Sequence, residues 1–233
     1  MSLKRFASRT VLVEGLTGSP DERESRHFAA RRVKEGEIVE IVDPAGVAWQ
    51  VEVVSARPWF FRVQKKVGEL ETSGLTIAVA PPQANRAAIM VEKCCEIGVA
   101  AFQPVICERS VVHPKEPDAL VERWSRIAEA AAKQSGAKPP AIKRPALLGE
   151  FLAGDGRKLI LAPGSRMWLC DLMTRERPAS LTVIIGPEGG FTKSELVMAV
   201  EAGVASVQLG PTVLRTETAA IVAAALFRAG APQ

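Results

Sequence analysis

The sequence predicts an α/β protein in two parts, a small β-rich domain over residues 1–72 and a larger domain over residues 73–233. Short β-rich segments fill residues 37–67, whereas short apolar runs alternate with helical patterns from residue 75 onward. The two patterns meet at a link containing Gly, Ser and Thr near residues 68–74. Alternation of strands and helices is typical of a parallel sheet covered by helices, so the larger part is predicted to be an α/β domain.

The β-rich pattern occupies the text EIVEIVDPAGVAWQVEVVSARPWFFRVQKKV, which is broken by DPAG and by ARP. Alternation with turn signals at this spacing predicts a small antiparallel barrel or sandwich. Just before it, RESRHFAARRVK holds five Lys or Arg residues against one acid, Glu24. Such a cluster can bind phosphates through its charge, but a charged run is also the usual solvated face of a helix. The run alone leaves both interpretations open.

The larger domain begins with an apolar run of strand length, Leu75–Ala80, and a helical pattern that ends before Gly98. The segment FQPVICE is a second strand candidate, and a long helix is predicted from Pro117 to Gly136, because Pro and Asp open it and Gly closes it. Further runs of the kind that fills parallel sheets are KLILA, LTVIIG and SVQLG. The helix after Thr216 is almost entirely apolar and must be buried on more than one side, in its own core or under a second subunit.

Composition and charge limit the classes of protein to which this chain can belong. Hydrophobic residues make up 47% and charged ones 24%, and no apolar run reaches the roughly 18 residues that a membrane-spanning helix needs. The start, MSLKRFASRT, is followed by Glu14 and then by polar GSPDERESR and not by the apolar core of a secretory signal, so the expected compartment is the cytoplasm. The formal net charge is +4, and all of this surplus lies before residue 146.

Cysteine and histidine placement predicts no metal site. The spacing gives neither a CxxC pair nor a metal-like set. The residues in question are Cys94, Cys95, Cys107, Cys170, His27 and His113. Buried, reduced thiols are therefore expected.

Three strands late in the chain end in loops that carry candidate chemistry: LILAPGS, IIGPEGGFT and LGPTVLRTETAA. In open α/β sheets ligands bind at the carboxyl ends of strands, and glycine there lets a ligand approach the backbone. Thr192 and Glu195 have the spacing of a capping box that opens the next helix. The loops match neither a P-loop nor a dinucleotide fingerprint, and Glu188 disfavours a phosphate but suits a ligand with positive charge or donor groups. A tight turn without a ligand is the alternative.

Two of these loops resemble the carboxyl-terminal motifs of the RsmE family of ribosomal RNA methyltransferases, members of the SPOUT class. The motifs are IGPEGGFTKSE and LGPTVLRTETAA, and RHFAARRVKEGE, EKCCEIGV and RWSRIAEAAAKQS precede them in family order. The resemblance implies a PUA-like, RNA-binding β-barrel over residues 1–72 and a SPOUT domain with a C-terminal trefoil knot over residues 73–233. It also implies a homodimer and the S-adenosylmethionine (SAM)-dependent methylation of N3 of one uridine in small-subunit (16S) ribosomal RNA.

Carried over by position, the resemblance implies three sets of site residues. The set that binds SAM comprises Leu161, Ala162, Pro163, Gly164, Gly186, Pro187, Glu188, Gly189, Gly190, Leu209, Gly210, Val213, Leu214, Arg215 and Thr216. The catalytic set comprises Arg215, Glu217 and Thr218. The RNA-binding set comprises Arg5, Arg26, Arg31, Arg32, Lys133, Gln134 and Lys138. One motif departs from the family, which usually has AAEQSGR or AAEQCGR: here AAAKQSGAK has Lys133 in place of an acid and Ala137 in place of an arginine, with Lys138 as the candidate substitute.

Methylation of uridine N3 requires an unpaired or extruded base, removal of the N3 proton and alignment of N3 with the methyl donor. Arg215 is predicted to orient the base or a phosphate. Two other functions fit parts of the same pattern. One is a SPOUT enzyme that methylates the ribose 2′-hydroxyl or another RNA position, and the other is a non-catalytic RNA-binding assembly protein that keeps the fold.

Overall fold

Residues 3–69, 73–112, 116–176 and 178–230 are described by a computed structural model. The chain divides into two units, Met1–Glu71 and Thr72–Gln233, and each has its own hydrophobic core. His113, one of the two histidines considered above, lies outside the described residues.

The first unit is a five-stranded sheet with one helix. Its elements are β1 (Arg5–Ala7), β2 (Thr17–Gly18), α1 (Glu22–Ala30), β3 (Ile38–Val42), β4 (Val47–Ala56) and β5 (Trp59–Glu69). The strand order is β1-β3-β4-β5-β2. The predicted antiparallel pairing holds for β3–β4, β4–β5 and β2–β5, whereas β1 pairs with β3 in parallel. The parallel pair is possible because the chain between β1 and β3, which includes α1, is long enough to make a crossover.

The core of this unit fixes which face of α1 meets solvent. Asp21 caps the helix, since its side chain accepts a hydrogen bond of 2.8 Å from the Glu24 N–H. Phe28 is buried, and its ring centroid lies 4.2 Å from that of Phe6 on β1. Because one face of α1 packs on the sheet through Phe28, the basic residues of the helix lie on the solvent side.

The second unit is an eight-stranded parallel sheet with helices on both faces. Its elements are β6 (Leu75–Val79), α2 (Ala84–Ile97), β7 (Ala101–Ile106), α3 (Pro117–Ser135), β8 (Ala141–Ile142), β9 (Ala146–Leu147), α4 (Leu148–Ala153), β10 (Lys158–Leu161), β11 (Met167–Trp168), α5 (Leu169–Glu176), β12 (Leu181–Ile185), α6 (Lys193–Glu201), β13 (Ala205–Gln208) and α7 (Thr216–Gly230). The strand order is β11-β13-β10-β12-β6-β7-β8, and β9 pairs with the end of β7. The predicted α/β fold with a parallel sheet is therefore confirmed, and the segment from β10 to α7 is the region in which the resemblance predicts the knot.

Two apolar layers cover the two faces of this sheet. One layer joins α2, α3, α5 and α7 to residues such as Ile77 and Val183, and the other joins α4 and α6 to Ala78 and Ile184. Neighbouring residues of one strand thus enter opposite layers, as the side-chain alternation of a strand requires. The prediction that the last helix is buried on more than one side is confirmed. Its buried residues Ala219, Ala220, Ala223, Ala224 and Phe227 are covered within this unit.

The cysteines are free thiols. Cys94, Cys95 and Cys107 are buried, as predicted, whereas Cys170 is half-buried. None of the helices in the described ranges is long and apolar enough to cross a membrane.

Candidate functional site

A cleft lies at the carboxyl edge of the second sheet, where the loops after β10, β12 and β13 come together. These three strands are neighbours in the order β13-β10-β12, so their carboxyl ends meet at one place. Twelve of the predicted SAM-binding residues line this cleft: Leu161, Ala162, Pro163, Gly186, Pro187, Glu188, Gly190, Leu209, Gly210, Val213, Leu214 and Thr216. Strand ends that are distant in the sequence thus build one concave site.

Three predicted members of this set, Gly164, Gly189 and Arg215, do not line the cleft. Side chains that the sequence analysis did not select complete its walls, among them Phe191 and Gln208. A methyl group added at Gly186 would lie 2.9 Å from the Phe191 ring, so a side chain at that position would have to displace the ring.

The loop after β12 is held by its own turn and by a helix cap. Gly190 has φ of +68° and donates its N–H to the Pro187 carbonyl at 2.8 Å, which closes a tight turn. The predicted capping box is confirmed, because the Thr192 Oγ1 accepts from the Glu195 N–H at 3.3 Å and Glu195 Oε2 accepts from the Thr192 N–H at 2.7 Å. Glu195 is buried, and its Oε1 also accepts from the Glu108 N–H at 2.8 Å. One carboxylate therefore fixes both the start of α6 and the loop after β7.

Two further hydrogen bonds tie the same loop to other elements. Arg109, which follows β7, donates from Nη1 to the Gly189 carbonyl at 2.9 Å. Thr216, the first residue of α7, donates from Oγ1 to the Gly186 carbonyl at 3.2 Å. The loop is thus anchored on both sides by side chains that lie far from it in the sequence.

Glu188 has a cation of the protein as its partner. Its Oε1 lies 3.0 Å from Nη1 of Arg86, a residue in the first turn of α2. The same guanidinium faces Glu217, with 3.9 Å between Nε and Oε1. The sequence predicts Glu188 as an acid suited to a cationic ligand but does not predict its partner Arg86, because no local pattern links residues 102 positions apart.

The predicted catalytic residues occupy different environments, and none of them lines the cleft. Glu217 is buried, and its Oε2 has no hydrogen-bond partner among the residues that the structure describes. Arg215 and Thr218 are exposed on either side of it. Thr216 is the member of this stretch that enters the cleft wall.

The predicted RNA-binding residues of the first unit are mostly exposed. Arg26 is 76% exposed, and its Nη2 lies 4.0 Å from the Glu22 carboxylate. Arg31 and Arg32, at the end of α1, are also exposed. Arg5 differs, because its guanidinium is bound to the Glu40 carboxylate on the neighbouring strand.

The predicted RNA-binding residues of the second unit lie at the amino edge of the sheet, opposite the cleft. Lys133 and Gln134 are in the last turn of α3, and Lys138 follows in the connection to β8. Ala141 on β8 pairs with Ala101, the first residue of β7, which places this connection at the amino ends of the strands. The α3 helix spans about 28 Å at 1.5 Å per residue over its 19 residues. Within one chain, these residues and the cleft are therefore separate.

Comparison with known proteins identifies relatives of both the domain and the whole chain. Residues 69–228 match the family model of the RNA methyltransferase domain. The chain is 30% identical over 214 residues to the ribosomal RNA small subunit methyltransferase E of Synechocystis sp., a match that covers 87% of this chain and 70% of that protein. It is 33% identical over 159 residues to the protein of the same name from Mycobacterium bovis, covering 64% and 60% of the two chains.

Solved structures with similar folds agree with these matches. One is a ribosomal RNA small subunit methyltransferase E from Neisseria gonorrhoeae bound to S-adenosyl methionine, with a TM-score of 0.84, 28% identity and coverage of 96% of this chain and 95% of that one. Another is a protein from Legionella pneumophila in complex with the cofactor SAM, with a TM-score of 0.83, 27% identity and coverage of 99% of both chains. The predicted fold class and family resemblance are confirmed.

Proposed function

Because this chain belongs to the ribosomal RNA small subunit methyltransferase E family, we propose that it transfers a methyl group from SAM to N3 of a specific uridine in 16S ribosomal RNA. The observation that carries the proposal is the cleft at the carboxyl edge of the second sheet, since two similar structures hold SAM. A ribosomal substrate also fits the cytoplasmic location that the sequence predicts.

The residues of the cleft fit this cofactor. A methyl group added at Gly190 or Gly210 would meet no atom within 4 Å, so both positions offer bare backbone to a ligand. The walls combine apolar side chains such as Leu161 and Leu209 with the polar groups of Glu188 and Thr216. This mixture of apolar surface and few polar groups is typical of sites for small cofactors.

Bound SAM would supply a methyl group on a positively charged sulfur, and the products would be N3-methyluridine, S-adenosylhomocysteine and the proton released from N3. The protein has to position N3 and accept that proton. We assign Arg215 to orienting the base or a neighbouring phosphate, because its side chain is exposed and has no partner among the described residues. Thr218 lies one turn away on the same solvent side. Glu217 is buried, so we assign it to holding Arg86.

We further propose that residues 1–72 bind RNA through the basic end of α1 and that the protein acts as a homodimer. The exposed side chains of Arg26, Arg31 and Arg32 support the first part. The second is supported by the position of Lys133, Gln134 and Lys138 at the amino edge of the sheet. If these residues contact RNA near a reacting uridine, that uridine must lie in the cleft of a partner subunit.

Mapping of methylated nucleotides in 16S ribosomal RNA from a strain without this gene tests the function. One N3-methyluridine should disappear and should return when the gene is restored. Mass spectrometry of digested RNA distinguishes this product from a methylated ribose, and loss of the latter would contradict the proposal. Calorimetry with purified protein and SAM separates an enzyme from an assembly protein, because the assembly protein need not bind SAM.

A further inference from the structure

The Arg86 guanidinium joins three elements of the second unit. It lies in the first turn of α2 and contacts Glu188, in the loop after β12, and Glu217, in the first turn of α7. The side chains of Arg86 and Glu188 are 33% and 32% exposed, and that of Glu217 is 12% exposed. The contact with Glu217 is therefore the more shielded of the two, and shielded charge pairs are weakened less by salt than exposed ones.

The position of Arg86 is unfavourable for its own helix. The amino end of a helix carries a partial positive charge, which disfavours a cation in the first turn. The first turn of α2 contains no acid, and the Gln83 side chain makes no capping hydrogen bond. The partners of Arg86 thus lie outside its helix. Without Arg86, the buried carboxylate of Glu217 would have no cation beside it in the described structure. A buried charge left without its partner destabilises a protein strongly.

We infer that Arg86 is a positioning residue for the cofactor cleft. Arg86 does not line the cleft, but Glu188 does, and so does Thr216, the neighbour of Glu217. By binding both carboxylates, Arg86 holds the loop after β12 against the start of α7. The hydrogen bond of 3.2 Å from Thr216 to the Gly186 carbonyl joins the same two segments. The inference rests on the proposed function, since it takes the ligand of the cleft to be SAM.

An electrostatic role and a positioning role of Arg86 predict opposite effects of Arg86→Gln on the affinity for SAM. The substitution removes a positive charge near a cleft for a cationic cofactor, so direct electrostatics would make SAM bind more tightly. A positioning role predicts weaker binding, because the walls of the cleft lose their fixed separation. S-adenosylhomocysteine lacks the sulfonium charge but has the same shape, so positioning predicts weaker binding of both compounds.

Isothermal titration calorimetry of the full chain with each compound tests the inference. We expect Arg86→Gln to raise both dissociation constants about tenfold, within the usual range for coupled sites. Arg86→Lys should recover part of this loss, because a lysine can bind one carboxylate but not two in a fork. Arg86→Gln combined with Glu188→Gln should be less harmful than the product of the single effects. Arg144→Gln is the matched control, since Arg144 makes an exposed ion pair with Asp118 at 3.3 Å and should leave both constants unchanged.

The outcomes separate this inference from the proposed function. Absence of SAM binding by the wild-type protein would overturn the proposed function, and the inference with it. Wild-type binding together with unchanged or tighter binding by Arg86→Gln would overturn the inference alone. If Arg86→Gln does not fold, Arg86→Lys decides, because it keeps the positive charge but cannot bind both carboxylates, and Arg86 does not line the cleft. A loss of affinity for both compounds supports positioning, and a loss for SAM alone, or for neither, overturns it.

Discussion

At the scale of single residues, Gly210 shows what the cleft requires of its wall. It lines the cleft, its φ is not positive, and an added Cβ would meet no atom within 4 Å. Gly210→Val should therefore fill ligand space without straining the backbone. We expect SAM affinity to fall at least about tenfold, which corresponds to about 1.4 kcal/mol, while the melting temperature stays nearly constant.

Calorimetry and thermal unfolding check this expectation. Gly68→Val is the matched control, because Gly68 lies on β5 in the first unit and an added Cβ there also meets nothing within 4 Å. If Gly210→Val binds SAM as tightly as the control does, the loop after β13 is not part of the cofactor site.

The four cysteines should differ in reactivity. Burial raises the pKa of Cys94 and Cys107 to about 12 and that of Cys95 to about 11, from an ordinary value of 9.0. A pKa of 12 lowers the reactive thiolate about a thousandfold at pH 8. A thiol-specific chromogenic reagent should thus react quickly with one thiol, Cys170, in the folded protein and with four after denaturation.

Cys170→Ser should abolish the fast reaction, and more than one fast thiol would contradict the burial of the others.

The same raised pKa values imply a dependence of stability on pH. Below pH 9 both states keep their thiol protons, whereas above pH 9 the unfolded chain loses them first. The free energy of unfolding should therefore fall as the pH rises from about 9 toward 12.

At the scale of elements, the start of α6 is stabilised by Glu195 more than by its capping partner. Glu195→Ala would leave the buried N–H of Thr192 and the partly buried N–H of Glu108 without their acceptor. We expect a loss of about 2–4 kcal/mol in the free energy of unfolding. Thr192→Ala should cost about 1 kcal/mol, as is usual for an N-cap.

Urea unfolding measures both changes. Glu201→Ala serves as the control, since Glu201 is exposed at the other end of α6 and should leave the stability nearly unchanged. Equal stabilities for the Glu195→Ala and Glu201→Ala proteins would show that the two hydrogen bonds contribute nothing.

The loop between β12 and α6 shows which structural features can be predicted from a sequence. The apolar run of β12 and the spacing of Thr192 and Glu195 are local signals, and both predicted their elements correctly. The anchors Arg86 and Arg109 act across 102 and 80 positions, and no periodicity or motif spacing joins residues so far apart. The sequence pattern also does not show at which edge of the sheet a residue lies. The residues at the end of α3 were predicted to bind RNA from their motif, and only the strand register shows that they lie at the edge opposite the cleft.

At the scale of the whole molecule, the proposed RNA-binding arginines of α1 and the cofactor cleft belong to different units. Replacing Arg26, Arg31 and Arg32 with Gln should weaken RNA binding and lower the slope of log affinity against log salt by about two to three units, because each lost phosphate contact removes slightly less than one. SAM affinity should not change.

Filter binding or fluorescence anisotropy at several salt concentrations gives this slope. A matched triple variant replaces Arg144, Arg157 and Arg175, which are exposed arginines of the second unit. If the two triple variants have equal slopes of log affinity against log salt, the basic residues at the end of α1 form a solvated helix face and do not bind RNA.

The pairing of β12 with β6 also sets an order of events during synthesis of the chain. Leu181 pairs with Leu75, and 181 minus 75 is 106 positions, so the middle of the sheet stays open until β12 has been made. The helix that covers this strand pair, α7, comes later still, and its first residue carries the hydroxyl that ties it to Gly186. A nascent chain that has not yet released α7 from the ribosome therefore has strands but no finished cleft. The cleft can therefore hold its cofactor only after α7 has been synthesised and has packed on the strand pair that it covers.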